Sequence, residues 1–131
     1  MKFHHIGIFV KSLQIGREYL SELFNISLIG EEILDEKMGI RVQFLTDNCG
    51  VCYEIVAPYG DENPVQNLLD KKNNILNHVA YEVENLGKAI LKYRELGCVP
   101  LSRPTPAVAF QGRNVMFFLT KIGVIVELIE L

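Results

Sequence analysis

The sequence contains no apolar run long enough to cross a bilayer and no cluster of lysines and arginines. The first absence argues against a membrane-spanning helix, which needs about 20 predominantly apolar residues in a row. The second, together with a formal net charge of −3, argues against non-specific nucleic-acid binding, which works by neutralising phosphates. Met1 to Val10 lacks the basic start and small-residue cleavage site of a signal peptide, so a cytoplasmic setting is expected. Cysteine is scarce, with Cys49, Cys52 and Cys98 alone, and an odd count without a secretion signal fits a reducing compartment. "CGVC" at 49–52 has the spacing of redox and zinc sites. A zinc ribbon needs a second pair, which is missing, and a thioredoxin-type pair opens a helix, whereas this one sits on a turn entering a strand. One turn cysteine and one strand cysteine is the plainer reading.

What is present describes a single domain over residues 1–131, with 49% hydrophobic and 22% charged residues, enough for a substantial core in an ordinary globular chain. Two stretches stand apart. "CYEIVAP" and "VIVELIE" are β-rich apolar runs with a carboxylate in the middle, Glu54 in one and Glu127 in the other. Burying such a charge is costly unless something pairs with it.

The two glutamates are 127 − 54 = 73 positions apart, and the same shift aligns more of the chain. "HIGIFVKSL" falls on "HVAYEVENL", "SELFNISLI" on "RELGCVPLS", and "VQFL" on "VMFF". A constant offset through several segments marks an internal repeat. Module 1 covers about residues 1–60 and module 2 about 74–131. The linker between them, over about 61–73, reads as a turn, a short helix from Pro64 and a polar exit. In each module a β-branched and aromatic strand comes first. Ser12 and Asn85 are good N-cap residues for helices over about 13–24 and 86–96, and Gly97 is a plausible stop for the second. Three strands follow, about 26–30, 40–46 and 51–57 in one copy and 99–102, 113–119 and 124–130 in the other. The expectation is an α+β fold of two βαβββ modules, forming a curved eight-stranded sheet.

The repeat makes His5, Glu54, His78 and Glu127 equivalent in pairs, since 54 − 5 = 49 and 127 − 78 = 49. Taken singly, each has a structural explanation; together at one offset they point to a shared site. Strand parity puts His5, Gly7 and Phe9 on one face and Ile6, Ile8 and Val10 on the other, with Gly7 leaving room beside the histidine. Two carboxylates in an apolar cavity repel, and one divalent cation held by two imidazoles and two carboxylates makes a neutral site. Such N/O ligands suit Co²⁺, Ni²⁺, Zn²⁺, Mn²⁺ or Fe²⁺.

At these residues the chain resembles the glyoxalase and vicinal oxygen chelate superfamily over essentially its full length, and within it the methylmalonyl-CoA epimerase family. "HIGIFVKSL", "YEIVAPYGDENPVQNLL" and "NHVAYEVENLGKAI" carry the likeness. Resemblance to glyoxalase I, the lactoylglutathione lyase, rests mainly on the His/Glu/His/Glu set. The resemblance implies that His5, His78 and Glu127 are metal ligands, with Glu54 at the fourth position, which is Gln or Glu among relatives. It departs in two loops, the clipped "LTKIGVIVE" and the hydrophobic "RPTPAVAFQGRNVMF", which should reshape the substrate pocket.

The implied function is that of a metal-dependent isomerase or lyase removing a proton next to a carbonyl through a metal-stabilised enolate. Glu127 or Glu54, loosening from the metal, is the expected base. Gln43 and Arg113 are substrate-side candidates. Arg103 and Lys121 are further cations for the phosphates of an acyl-CoA. Epimerisation also needs a second acid/base to return the proton on the other face; no residue clearly matches, and Glu31, Glu32, Asp35 and Glu36 lie in the approach to β-strand 40–46. The substrate is expected to be a small molecule, an acyl-CoA or a thiol adduct. Homodimerisation is implied by the resemblance. Two rivals share the fold. A non-catalytic antibiotic-binding protein would not need all four ligands and would favour aromatic walls, yet the chain has no tryptophan. A ring-cleaving dioxygenase would use two His and one carboxylate, leaving Glu54 unexplained.

Overall fold

In a computed structural model the described residues are 1–60, 65, 66, 70 and 76–131. They form β1 (Lys2–Phe9), α1 (Leu13–Phe24), β2 (Ile26–Ile29), β3 (Ile33–Asp35), β4 (Ile40–Asp47) and β5 (Cys52–Pro58). The same order then recurs as β6 (Leu76–Val83), α2 (Leu86–Glu95), β7 (Val99–Pro100), β8 (Thr105–Pro106), β9 (Asn114–Leu119) and β10 (Ile125–Glu130). Apart from Val65, Gln66 and Asp70, the short helix expected from Pro64 lies outside the described residues.

α1 and α2 begin where the capping residues place them. Ser12 Oγ accepts the amide of Ile15 at 3.1 Å, and Asn85 Oδ1 accepts that of Lys88 at 2.8 Å. Each side chain satisfies an amide that has no partner within the helix. α2 ends at Gly97, whose φ of 82° only glycine adopts freely. Its amide bonds to the carbonyl of Arg94, while that of Cys98 reaches back to Tyr93. α1 ends on Asn25, also left-handed at φ 52°.

Contacts divide the chain into two compact units, one of His5–Asn77 and one of Met1–His4 with His78–Leu131. In the first, the strand order is β2-β4-β5-β1, with β3 added on β4. β1 and β5 are parallel, and β4 and β5 antiparallel. In the second, the order is β6-β10-β9-β7, with β8 on β9. β6 and β10 are parallel, and β9 and β10 antiparallel. Ten strands form among the described residues where the sequence pattern leads one to expect eight. β3 and β8 have three and two residues, too few for alternation to show.

One face of each half-sheet is covered by its helix. Leu13 and Leu20 of α1 pack with Leu45, Ile55 and Ala57, flanked by Ile8, Val10 and Ile26. Leu86 of α2 packs with Val83, Met116, Phe118, Val126 and Leu128, flanked by Val79 and Tyr81. Because neighbours along a strand point to opposite sides, these helix-covered residues force His5, Phe44 and Glu54 onto the other face of the first half. His78, Phe117 and Glu127 take the same face of the second.

Candidate metal centre

In the first unit His5 is fully buried and Glu54 nearly so. His5 Nε2 lies 3.5 Å from Glu54 Oε1. The fold brings them together because Gly7, two residues after His5, is the parallel neighbour of Glu54. A glycine there leaves the carboxylate room. In the second unit His78 and Glu127 are both buried, with His78 Nε2 3.0 Å from Glu127 Oε2. Ala80, two residues after His78, is the neighbour of Glu127. Each pair is thus built from the first and last strands of its unit.

The four side chains each offer one atom able to ligate a metal, an imidazole nitrogen or a carboxylate oxygen. Two ligands about 2.1 Å from one ion, at tetrahedral to octahedral angles, stand about 3.0–3.4 Å apart. The observed separation of 3.0 Å in the second unit falls in that range, and the 3.5 Å of the first lies just above it. The longer one exceeds the ~2.7–2.9 Å of a charge-assisted N–H···O bond. The donor set, neutral imidazole with carboxylate, is that of zinc, nickel, cobalt, manganese or iron. The residues present therefore fit a divalent cation.

Other side chains expected at the site have different surroundings. Gln43 is buried, but it stands opposite Ile55 in the β4–β5 ladder, which puts it on the helix-covered face. There it accepts from Arg17 Nη1 and donates to the Gly30 carbonyl, both at 2.8 Å. Its side-chain amide, a substrate-side candidate in the sequence, is committed here to Arg17 and Gly30. Arg113 stands just before β9, with its Nη1 3.0 Å from Glu82 Oε2 and its Nε donating to the Phe110 carbonyl. It is a neutralised pair rather than a spare cation. Among the acids preceding β4, Asp35 is buried and accepts the Met38 amide, whereas Glu31, Glu32 and Glu36 are exposed.

All three cysteines are free thiols. Burial, then the charge of Glu54, push the Cys52 thiol up, partly offset by a hydrogen bond with Thr46. A thiol held protonated is a poor nucleophile, which supports the plain reading of "CGVC". Sequence reasoning aligned "VQFL" with "VMFF" but gave no role to Phe44 or Phe117. Each stands against a site histidine, Phe44 on His5 and Phe117 on His78.

Residues 4–117 match the family described as the Glyoxalase/Bleomycin resistance protein/Dioxygenase superfamily. The chain is 28% identical over 133 residues to the mitochondrial methylmalonyl-CoA epimerase of Dictyostelium discoideum, covering 98% of this chain and 78% of that protein. It is 26% identical over 131 residues to the ethylmalonyl-CoA/methylmalonyl-CoA epimerase of Cereibacter sphaeroides, covering 97% and 96%. The solved methylmalonyl-CoA epimerase of Mycobacterium tuberculosis superposes with a TM-score of 0.80 at 22% identity, over 98% of this chain and 87% of that one. The last likeness is one of fold.

Proposed function

The chain belongs to the Glyoxalase/Bleomycin resistance protein/Dioxygenase superfamily, and on that premise we propose that it is a divalent-metal-assisted epimerase acting on a malonyl-type acyl-CoA thioester such as methylmalonyl-CoA. The observation that carries the metal is the pair of buried His–Glu couples at ligand spacing. The names of the relatives supply the substrate class.

In this reading His5, Glu54, His78 and Glu127 hold one cation between them. When bound, the ion supplies a Lewis acid that stabilises negative charge on the substrate's carbonyl oxygen as the adjacent carbon loses its proton. The two imidazoles contribute lone pairs without charge, and the two carboxylates balance a dication, so the loaded set carries no net charge into its buried setting. The proton goes to a carboxylate oxygen of Glu127, and epimerisation is completed when a second acid returns a proton to the opposite face of the carbon. Glu54 is the weaker candidate, because its position is Gln or Glu among the proteins the sequence resembles, and an amide cannot take up a proton in this way. Val42, Val56, Val115 and Ile129 are buried without belonging to the helix-side cores. They keep the pairs' faces apolar, which strengthens every charge interaction there.

The test is to load the purified protein with Co²⁺ or Ni²⁺ and follow methylmalonyl-CoA in D₂O. Uptake of deuterium at the α-carbon, dependent on the ion and abolished in Glu127→Gln, is expected. No exchange, with turnover of a methylglyoxal–thiol adduct instead, would replace the epimerase reading with a glyoxalase one.

A further inference from the structure

Each buried imidazole has a ring packed across it. His5 and Phe44 have centroids 5.6 Å apart with planes at 72°. His78 and Phe117 are 5.4 Å apart at 86°. Both are edge-to-face arrangements, the geometry aromatic pairs favour.

The ladders show that neither contact is incidental. Phe44 stands directly opposite Glu54 across β4 and β5, and Phe117 directly opposite Glu127 across β9 and β10. Residues so paired project side by side on one face. On its other flank each glutamate has the small residue, Gly7 or Ala80. Each couple is therefore framed alike, by an open place on the histidine's strand and a phenyl on the strand beyond. In the sequence 117 − 44 = 73, the same offset that relates the histidines and the glutamates. The histidines are buried while the two phenyls are only half-buried, so the phenyls lie on the outer side of the rings they touch.

An imidazole can turn about its broad outer torsion and move its nitrogen off target. We propose that Phe44 and Phe117 are positioning residues that lock the planes of His5 and His78, aiming each Nε2 at its glutamate before an ion arrives. The proposal rests on the reading that these couples hold a divalent cation. A phenyl set perpendicular to the imidazole blocks ring rotation, because turning the imidazole drives it into the phenyl edge. An aliphatic side chain of similar volume fills the space without presenting a flat wall. In many metal sites a hydrogen bond to the far ring nitrogen fixes the plane, and loss of such a support costs 10- to 100-fold in metal affinity.

Phe44→Leu and Phe117→Leu test this against Phe44→Tyr and Phe117→Tyr, which keep the ring. Titration with Co²⁺ should show affinity lowered about 10-fold in each leucine variant and kept in each tyrosine variant. Carbon relaxation of the histidine rings in metal-free protein should show order lost on going to leucine and retained with tyrosine. Leucine variants with histidine rings as ordered as in the parent, or tyrosine variants as impaired as the leucine ones, would overturn the proposal. Should the parent take up no Co²⁺, Ni²⁺, Zn²⁺, Mn²⁺ or Fe²⁺, the functional reading fails. The ring-order measurement, made without metal, still decides the role of the phenylalanines.

Discussion

Replacing Glu127 by glutamine keeps the side chain's size and removes its charge. The loaded site would then hold an uncompensated positive charge at a buried position, and breaking such a balance costs on the order of 3–5 kcal/mol. Loss of the proton-accepting carboxylate adds a fall of about 10²–10⁴ in α-proton exchange. Glu54→Gln should separate the two effects. It removes the same charge and its amide oxygen likewise remains a ligand, so cation uptake measured by titration should fall about as far as in Glu127→Gln, while exchange should persist. The reverse order of damage would transfer the proton-accepting role to Glu54. These two residues and their histidines were legible in the sequence because each is an oddity in its strand and the offset pairs the oddities. The partners of Gln43 and Arg113 were not, since Arg17 and Glu82 lie 26 and 31 positions away. Nothing in a linear pattern tells a cation held by a distant carboxylate from a spare one. Phe44 and Phe117 escaped for a different reason: a phenylalanine in a strand reads as core wherever it stands.

Helix ends are where local sequence speaks most directly. Asn85→Ala and Ser12→Ala remove the oxygens that accept the Lys88 and Ile15 amides. Each should lower stability in urea unfolding by about 1 kcal/mol. Gly97→Ala should cost more. The position is left-handed, at about 1–2 kcal/mol for an L-residue, whereas the far end of the Lys121 side chain that an added methyl would meet can swing aside. Equal losses at Gly97 and Ser12 would contradict that account. The capped helices and long alternating strands were readable because their signals are local and repeated. β3 and β8 depend instead on pairing to β4 and β9, a tertiary effect. Tyr93, on α2, gives a prediction in pH. Burial pushes its hydroxyl up, with smaller contributions from Cys98 and Tyr81. Unfolded chains ionise first as the medium turns alkaline, so the native state binds more protons and loses stability as pH rises past the ordinary tyrosine value. Tyr93→Phe should flatten that alkaline decline in thermal melts.

At the scale of the whole chain, the proposed ion makes one demand that two separate couples would not. Each unit carries one His–Glu couple of its own. If each couple bound independently, two weak ions would be taken up, and His5→Ala would leave the second couple's binding intact. If one ion is shared, uptake is one per chain and His5→Ala and His78→Ala each remove it. A shared ion binds only when both units are folded, so it stabilises the native chain by linkage, about 2.7 kcal/mol at 100 times its dissociation constant. Melting curves with and without Co²⁺, alongside metal content, therefore read the same question twice. The shared site predicts a single ion, a raised melting temperature in the parent, and no rise in either histidine variant. A stoichiometry of two, or a full rise in His5→Ala, would break the link between the units. The metal-assisted mechanism would then lose the neutral four-ligand set on which it depends.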